Sequence, residues 1–158
     1  MILHQVQALA LGPALLAFGC PVAAQDMIAL DVFGRIFSVD SQVPLAFYLD
    51  DTGLWVTNSM AKDSGGRLFT STGNNITQPA PIYMIDPDTS SAVFVVDAQV
   101  PPIRGMAFGP SDVLYGVGDL WGPTCCGPDN LYIIDLVSGS ATLVGATGFF
   151  GLQSLAYG

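Results

Sequence analysis

Four short strand-like runs follow one another between Arg104 and Gly148. They are Gly105-Met106-Ala107-Phe108, Val113-Leu114-Tyr115-Gly116-Val117, Leu131-Tyr132-Ile133-Ile134-Asp135 and Ala141-Thr142-Leu143-Val144. Each run is separated from the next by Gly, Pro, Ser, Asp or Asn, the residues that tight turns require. The segment therefore predicts four consecutive β-strands.

The same pattern recurs upstream at a nearly constant interval. Three similar runs end at Asp40, Asp86 and Asp135, which are 46 and 49 residues apart. The dipeptides Met60-Ala61, Met106-Ala107 and Leu155-Ala156 keep the same two spacings, and Leu68-Phe69 precedes Leu114-Tyr115 by 46 residues. Because three anchors agree, the chain contains a repeated unit of about 46 residues.

The length and composition of the repeat predict an all-β fold built from β-propeller blades. The apolar runs last four to six residues and end at turn signals, whereas helices require apolar residues three and four apart over longer segments. Runs such as Ile82-Tyr83-Met84-Ile85 are apolar on both faces, as expected for strands covered on both sides by neighbouring blades. Four antiparallel strands in about 46 residues match one blade. We expect about three blades, forming an incomplete or open propeller.

The repeat resembles that of exported bacterial β-propeller proteins. The residues that carry the resemblance are Gly105 to Pro110, the Leu114-Tyr115 pair, Tyr132-Ile133-Ile134-Asp135 and the Ser138-Gly139 turn. The resemblance covers residues 28–158 and implies the fold. It leaves the function open, because that group includes enzymes, binding proteins and many members of unknown role.

We label the strands of each blade a to d from the centre outward. The expected domains are a signal peptide at 1–24 and propeller repeats at 25–158. Within the repeats, the sequence predicts a partial blade at 27–50 that begins with its b strand, blades at 54–97 and 103–145, and the first strand of a next blade at 152–158.

Three blades are too few to close, since propellers have roughly four to eight. Two interpretations remain open. The chain is a fragment of a longer reading frame, which is favoured because it stops one strand into a new blade. Alternatively, copies associate through open blade edges, so that Ser154 to Tyr157 of one chain pairs with Met27 to Leu30 of the next and two copies make six blades.

The N-terminus has the features of a secretory signal. An apolar run from Ala8 to Gly19 is followed by small residues at Val22-Ala23-Ala24, which predicts cleavage before Gln25 and a secreted or periplasmic protein. Lipidation of Cys20 is an open alternative. The apolar run is too short for a comfortable membrane span, and no later uncharged run reaches that length.

The charge balance excludes several classes of partner. The sequence carries 13 acidic residues against 4 cations, for a net charge of −9, and every acid is an Asp. Nucleic acids and anionic membranes need clustered Lys and Arg, so neither is an expected partner. The one His is His4. We therefore expect no zinc or haem site and no catalytic residues in the repeats. No spacing of the aspartates resembles a known calcium loop, so we expect no metal site and no other cofactor.

The long b–c and d–a connections share one end of an up-and-down propeller, and long loops on rigid scaffolds are where ligands tend to bind. This end is predicted to gather ligand-binding residues, although the same residue types also serve turns and loop solvation. They are Asn74, Asn75, Arg104, Asp119, Trp121 and Asp129.

The two adjacent cysteines, Cys125 and Cys126, are the most unusual chemical feature of the sequence. In an oxidising compartment it predicts a vicinal disulfide that stiffens the loop. Vicinal cysteines also resemble those under the quinone of some propeller alcohol dehydrogenases, but no other quinone-site pattern accompanies them.

Three functions follow as hypotheses. The first is an exported, non-catalytic module that binds a ligand, glycan or protein through the long-loop end. The second is a fragment of a propeller hydrolase, lactonase or quinoprotein whose catalytic residues lie in missing blades. The third is a surface structural protein that acts through self-association of its repeats. The lack of His and Glu in the repeats makes an enzyme the weaker expectation.

Overall fold

Short strands dominate the part of the chain that the computed structural model describes, residues 27–40, 43, 45–73, 79–118 and 127–158. These ranges contain eleven strands and one short 3₁₀ turn at Pro110–Asp112. The strands are β1 (Met27–Leu30), β2 (Arg35–Val39), β3 (Ala46–Asp51), β4 (Thr57–Lys62), β5 (Leu68–Thr72), β6 (Ala80–Ile85), β7 (Ala92–Ala98), β8 (Gly105–Phe108), β9 (Leu114–Gly118), β10 (Asn130–Ile134) and β11 (Ala141–Ala146).

The strands form three antiparallel sheets in chain order, which confirms the predicted all-β fold of blade-like units. Blade one is β1-β2-β3, blade two is β4-β5-β6-β7 and blade three is β8-β9-β10-β11. None of the described sheets closes into a barrel, and the arrangement is consistent with an open, partial propeller-like fold. No helix in the described ranges is both long and apolar enough to cross a membrane.

A β-bulge at one repeat position shows that the three sheets are structural equivalents. The pairing of each c strand with its d strand shifts between Ile36 and Phe37, between Ile82 and Tyr83, and between Leu131 and Tyr132. These positions are again 46 and 49 residues apart. A bulge increases the local twist, so every blade turns its outer strand in the same way. The match also assigns β1, β2 and β3 to positions b, c and d.

The recurring aspartates Asp86 and Asp135 lie in the c–d turns rather than in the c strands. Asp135 Oδ1 accepts the backbone N–H of Val137 at 2.7 Å, and Asp86 Oδ1 accepts that of Asp88 at 2.9 Å. These backbone hydrogen bonds stabilise the ionised carboxylates and hold the pKa of both Asp86 and Asp135 below the ordinary value. The aspartates therefore end the c strands and start the turns, one residue beyond the last paired residue.

The larger hydrophobic core lies between blades two and three. It joins eleven buried residues of the described ranges, among them Ile82 from blade two and Met106 from blade three. The rings of Phe69 and Phe108 meet across this interface with centroids 5.3 Å apart. A smaller cluster of three buried residues, Ile36, Leu68 and Ile85, joins blade one to blade two. The blades are thus held together unequally.

The predicted strand at 152–158 is not a strand in the structure. The segment lies beside β8, and a Cβ built on Gly105 would approach the carbonyl carbon of Ser154 to 2.7 Å. The backbone of Ser154 therefore lies next to the inner strand of blade three. The segment is not assigned as a strand because no strand in the described part of the chain is hydrogen-bonded to it.

Blade twist brings one c–d turn close to a d–a loop. The Gln99 N–H, in the loop after β7, donates to the Gly139 carbonyl at 2.8 Å. At the outer rim, the c–d turn of blade three therefore lies next to the loop that follows β7. The outer strand of each blade is rotated relative to its inner strand, so its ends lean toward the neighbouring blades.

Candidate binding site at the loop end

The predicted ligand-binding residues divide by where they fall in the chain. Arg104 and Asp129 lie in the described ranges, whereas the other residues predicted for the loops lie outside them. Those are Asn74, Asn75, Asp119, Trp121, Cys125 and Cys126. We call the end of the blades that carries the b–c and d–a connections the loop end.

Asp129 is a buried residue that organises the loop after β11. Its Oδ2 accepts the Leu152 N–H at 2.6 Å, its own N–H donates to the Phe149 carbonyl at 2.8 Å, and its carbonyl accepts the Thr147 N–H at 2.8 Å. Its Oδ1 is buried and meets no hydrogen-bond partner among the described residues. The described contacts of Asp129 thus hold the loop that follows blade three.

Arg104 lies at the entrance to β8 and is half-buried. Its N–H donates to the Val117 carbonyl at 2.9 Å, so its backbone extends the pairing of β8 with β9. The preceding carbonyl, that of Ile103, accepts the Ser71 hydroxyl at 2.9 Å from blade two. The position of Arg104 is therefore set by both blades.

Two d–a loops share one construction and present aromatic side chains. Thr52-Gly53-Leu54-Trp55 follows β3, and Thr147-Gly148-Phe149-Phe150 follows β11. The hydroxyls of Thr52 and Thr147 each donate at 2.7 Å to a carbonyl just before a c strand, that of Gly34 and that of Asp129. Both loops turn through a glycine with positive φ. The hydroxyl bonds therefore tie each loop to its own blade.

The aromatic side chains on these loops point into solvent. Trp55 is 74% exposed, Phe149 67% and Phe150 66%. Burying an indole or phenyl ring against a partner is among the larger favourable contributions a single side chain can make. Exposed aromatic side chains on loops that are hydrogen-bonded to their own blades are therefore suited to contact a ligand.

Trp55 is part of a small cluster in blade one that we call the aromatic corner, formed by Phe33, Arg35 and Trp55. The rings of Phe33 and Trp55 meet edge to face with centroids 6.4 Å apart. The Arg35 guanidinium lies 5.3 Å from the Phe33 ring centroid, and its Nε donates to Asp31 Oδ2 at 2.6 Å. That side-chain hydrogen bond raises the pKa of Arg35. The corner thus combines two exposed rings with a cation held in position.

Sequence reasoning missed the aromatic corner and the two phenylalanines. The signal was present, because Thr-Gly-x-aromatic occurs twice with the spacing of two repeats. Blade two lacks it, since Ala98-Gln99-Val100-Pro101 stands at that place. The motif occurs in only two of the three loops and lies outside the strands, so it is not among the anchors that define the repeat.

The described residues contain no group of three or more His, Cys, Asp or Glu that could hold a metal ion. No protein-family model matches this chain, and no curated protein matches it with significant similarity. The evidence for the candidate site therefore comes from its geometry.

Proposed function

We propose that this chain is an exported, non-catalytic β-propeller repeat protein of the bacterial type, which binds a glycan or protein ligand through its loop end. The observation that carries the proposal is the display of Trp55, Phe149 and Phe150 on loops tied to the blades. Fixed aromatic side chains bind with little loss of conformational entropy, which is why Trp and Tyr recur at the energetic centres of interfaces.

The location is part of the same proposal. The apolar run at Ala8 to Gly19 and the small residues before Gln25 support export to the periplasm or the medium. An acidic protein with a net charge of −9 is soluble there and repels anionic surfaces, so its contacts would rely on apolar and hydrogen-bonding groups. A binding site built from exposed aromatic side chains supplies such apolar contacts.

A second candidate function is a surface structural role through self-association. It is favoured by apolar side chains that remain exposed on the outer strands, among them Phe47, Phe94 and Leu143. Exposed apolar strands at sheet edges promote association between chains. In that case the outer strands, rather than the loop end, would make the contacts.

The proposal is tested by screening the purified protein on glycan and protein arrays, with and without divalent cations, and then measuring affinity by calorimetry. Trp55→Ala and Phe150→Ala should each weaken binding about tenfold or more, because truncating a central aromatic typically costs at least about 1.4 kcal/mol. Trp121→Ala should weaken binding as well, because Trp121 is one of the residues predicted to bind ligand at the loop end.

Val137→Ala is the matched control, since Val137 is 93% exposed on the c–d turn of blade three. It should bind like the wild type. Binding that survives the Trp55→Ala, Phe150→Ala double variant would contradict a loop-end site, as would arrays that yield no ligand. Polymerisation without any ligand would favour the structural role instead.

A further inference from the structure

The aromatic corner is built on a turn that occurs twice in the chain. Residues 31–35 lead from β1 into β2, residues 63–67 lead from β4 to β5, and both read Asp-x-x-Gly-Arg. In each turn the Asp accepts the backbone N–H of the Arg, and its Oδ2 accepts the Arg Nε–H at 2.6 Å. The Gly has a positive φ in both. The ion pair and the glycine are therefore requirements of the turn itself.

The turn does not require an aromatic side chain. Phe33 is the third residue of the first turn, whereas Gly65 stands at the third position of the second, which makes the same hydrogen bonds. Phe33 is 57% exposed, and Trp55, which meets it, is even more exposed. Neighbouring exposed rings that neither the turn nor the core needs indicate a contact surface for a ligand.

Gly34 fixes the place of Trp55 beside Phe33. Its carbonyl accepts the Thr52 N–H at 2.9 Å and the Thr52 hydroxyl at 2.7 Å. A Cβ at Gly34 would collide with the carbonyl oxygen of Leu54, so the loop before Trp55 packs directly on the glycine. The two rings meet at 83° and form two walls of a corner. Such a site loses little conformational freedom when a ligand binds.

The polar group beside the rings is an ion pair that retains access to solvent. The Arg35 side chain is 48% exposed, and its Nε and one terminal nitrogen both contact a single oxygen, Asp31 Oδ2, at 2.6 and 2.5 Å. A guanidinium presents a fork of N–H donors, so its exposed part can also donate to ligand oxygens. Asp51 lies opposite Arg35 in the pairing of β2 with β3. Two carboxylates thus flank one guanidinium.

The arrangement of charges disfavours a charged ligand of either sign. An anion would meet Asp31 and Asp51 on a protein of net charge −9. A cation would meet Arg35, whose guanidinium already lies 5.3 Å from the centroid of the Phe33 ring. A neutral sugar avoids both costs. The negative face of an aromatic ring attracts the C–H groups of a pyranose, and hydroxyl oxygens accept hydrogen bonds from a charged donor.

We infer that the aromatic corner binds a neutral pyranose unit of a glycan, which lies against the Trp55 ring while its hydroxyl oxygens accept hydrogen bonds from Arg35. The inference rests on the proposed function and names a sugar, rather than a protein, as the ligand of this part of the loop end. Energetic centres of protein interfaces are shielded from water by surrounding contacts, whereas an exposed ion pair adjoins these rings.

The inference is tested with oligosaccharides that differ only in charge. Cellotetraose, mannotetraose and galactotetraose are each compared with the form whose primary hydroxyls are oxidised to carboxylates, and N-acetylchitotetraose is compared with its cationic deacetylated form. By calorimetry, the neutral sugar that binds most tightly should exceed its charged counterpart by at least about tenfold in affinity. Equal affinity for the neutral and charged forms, or no binding by any neutral sugar, would overturn the inference.

Substitutions in the two equivalent turns separate binding from folding. Arg35→Lys keeps the charge but loses the planar fork of donors, so it should weaken binding of that sugar by about tenfold. Arg67→Lys is the matched control, because Arg67 makes the same ion pair at the opposite end of its blade. It should bind like the wild type and lose a similar amount of thermal stability. Equal affinities of the two variants would contradict a role for Arg35 in sugar binding.

The position of the sugar is tested by NMR titration of the full chain. The chain has two tryptophans, and the indole N–H signal missing from Trp55→Phe identifies Trp55. The neutral sugar should shift that signal. A sugar whose binding requires Phe150 but leaves the Trp55 signal unmoved would overturn the inference and leave the loop-end site standing. A protein ligand that depends on Trp55 would do the same, whereas a sugar that binds the Trp55→Ala, Phe150→Ala double variant normally would contradict both.

Discussion

At the scale of the residue, the restriction of the acids to Asp has a structural explanation. The short Asp side chain accepts backbone N–H groups two to four residues away, as Asp31, Asp63, Asp86 and Asp135 all do. A Glu carboxylate carries one more rotatable bond and fits these turns less readily. Aspartates in this protein therefore serve mainly as turn residues, and a repeat with many turns needs many of them.

Asp112 differs because its carboxylate joins two blades. It accepts the Ser64 N–H at 2.8 Å and the Ser64 hydroxyl at 2.6 Å, across the a–b turns of blades two and three. The Ser64 side-chain hydrogen bond lowers the pKa of Asp112 from its ordinary 3.8. Its backbone lies in the left-handed region, φ 55°, which Asp tolerates better than most residues.

The lowered pKa predicts the direction of a pH effect. Since Asp112 binds its proton less tightly in the folded protein, its contribution is fully present above pH 3.8 and is lost as pH falls through the folded-state pKa. Asp112→Ala should therefore lower Tm modestly at pH 7. The difference between variant and wild type should shrink below pH 4, as measured by thermal melts followed by circular dichroism. A difference that stays constant with pH would contradict an ionic role.

At the scale of the element, close approach of inner strands limits the side chain at one repeat position. Ser59, Gly105 and Ser154 occupy it, and a Cβ on Gly105 would lie 2.7 Å from the Ser154 carbonyl carbon. Because the obstructing atom is backbone, it cannot move away cheaply. The C-terminal segment can therefore rest on β8 only while residue 105 lacks a side chain.

Gly105→Ala should displace the C-terminal segment and destabilise the fold by about 1 to 3 kcal/mol, the usual cost of overpacking. Carboxypeptidase should then release the residues after Leu152 faster, as followed by mass spectrometry. Gly145→Ala is the matched control, since a Cβ there would meet no atom within 4 Å. Equal digestion of the two variants would show that the segment does not depend on Gly105.

At the scale of the whole molecule, the unequal interfaces between blades predict unequal stability. Repeat proteins gain stability from each interface between neighbours, so a blade with a poor interface opens first. Blade one contributes Ile36 to a buried cluster of three residues, while blades two and three share a cluster of eleven. Blade one is therefore the expected site of local unfolding.

Ile36 and Ile82 occupy the same repeat position, so substituting each one tests the stability of a different interface between blades. Ile36 and Ile82 are both 0% exposed. Ile82→Ala should accelerate hydrogen exchange in blades two and three and cost about 2 to 5 kcal/mol of global stability. Ile36→Ala should accelerate exchange mainly in β1, β2 and β3. If both variants accelerate exchange equally in every sheet, the blades unfold as one cooperative unit.

The sequence predicted the strand pattern well because that pattern depends on neighbouring residues. Runs such as Gly105–Phe108 were placed as they occur, and other strand ends differ by one or two residues, since Asp86 and Asp135 belong to turns rather than strands. The candidate site was harder to predict. The described contacts of Asp129 hold the loop after β11, and its role in ligand binding stays a prediction. Trp55 was overlooked because its exposure depends on how the loop after β3 returns to Gly34.

By itself, the sequence determined the repeat, the four-strand unit and the use of Asp in turns, because each follows from the types and spacing of residues close together in the chain. Only the tertiary structure decided which residues meet across blades, as in the Asp112 contact with Ser64 and the approach of Ser154 to Gly105. These contacts join residues about 50 positions apart. Their geometry depends on blade twist, which accumulates over whole sheets and is not set by any single stretch of sequence.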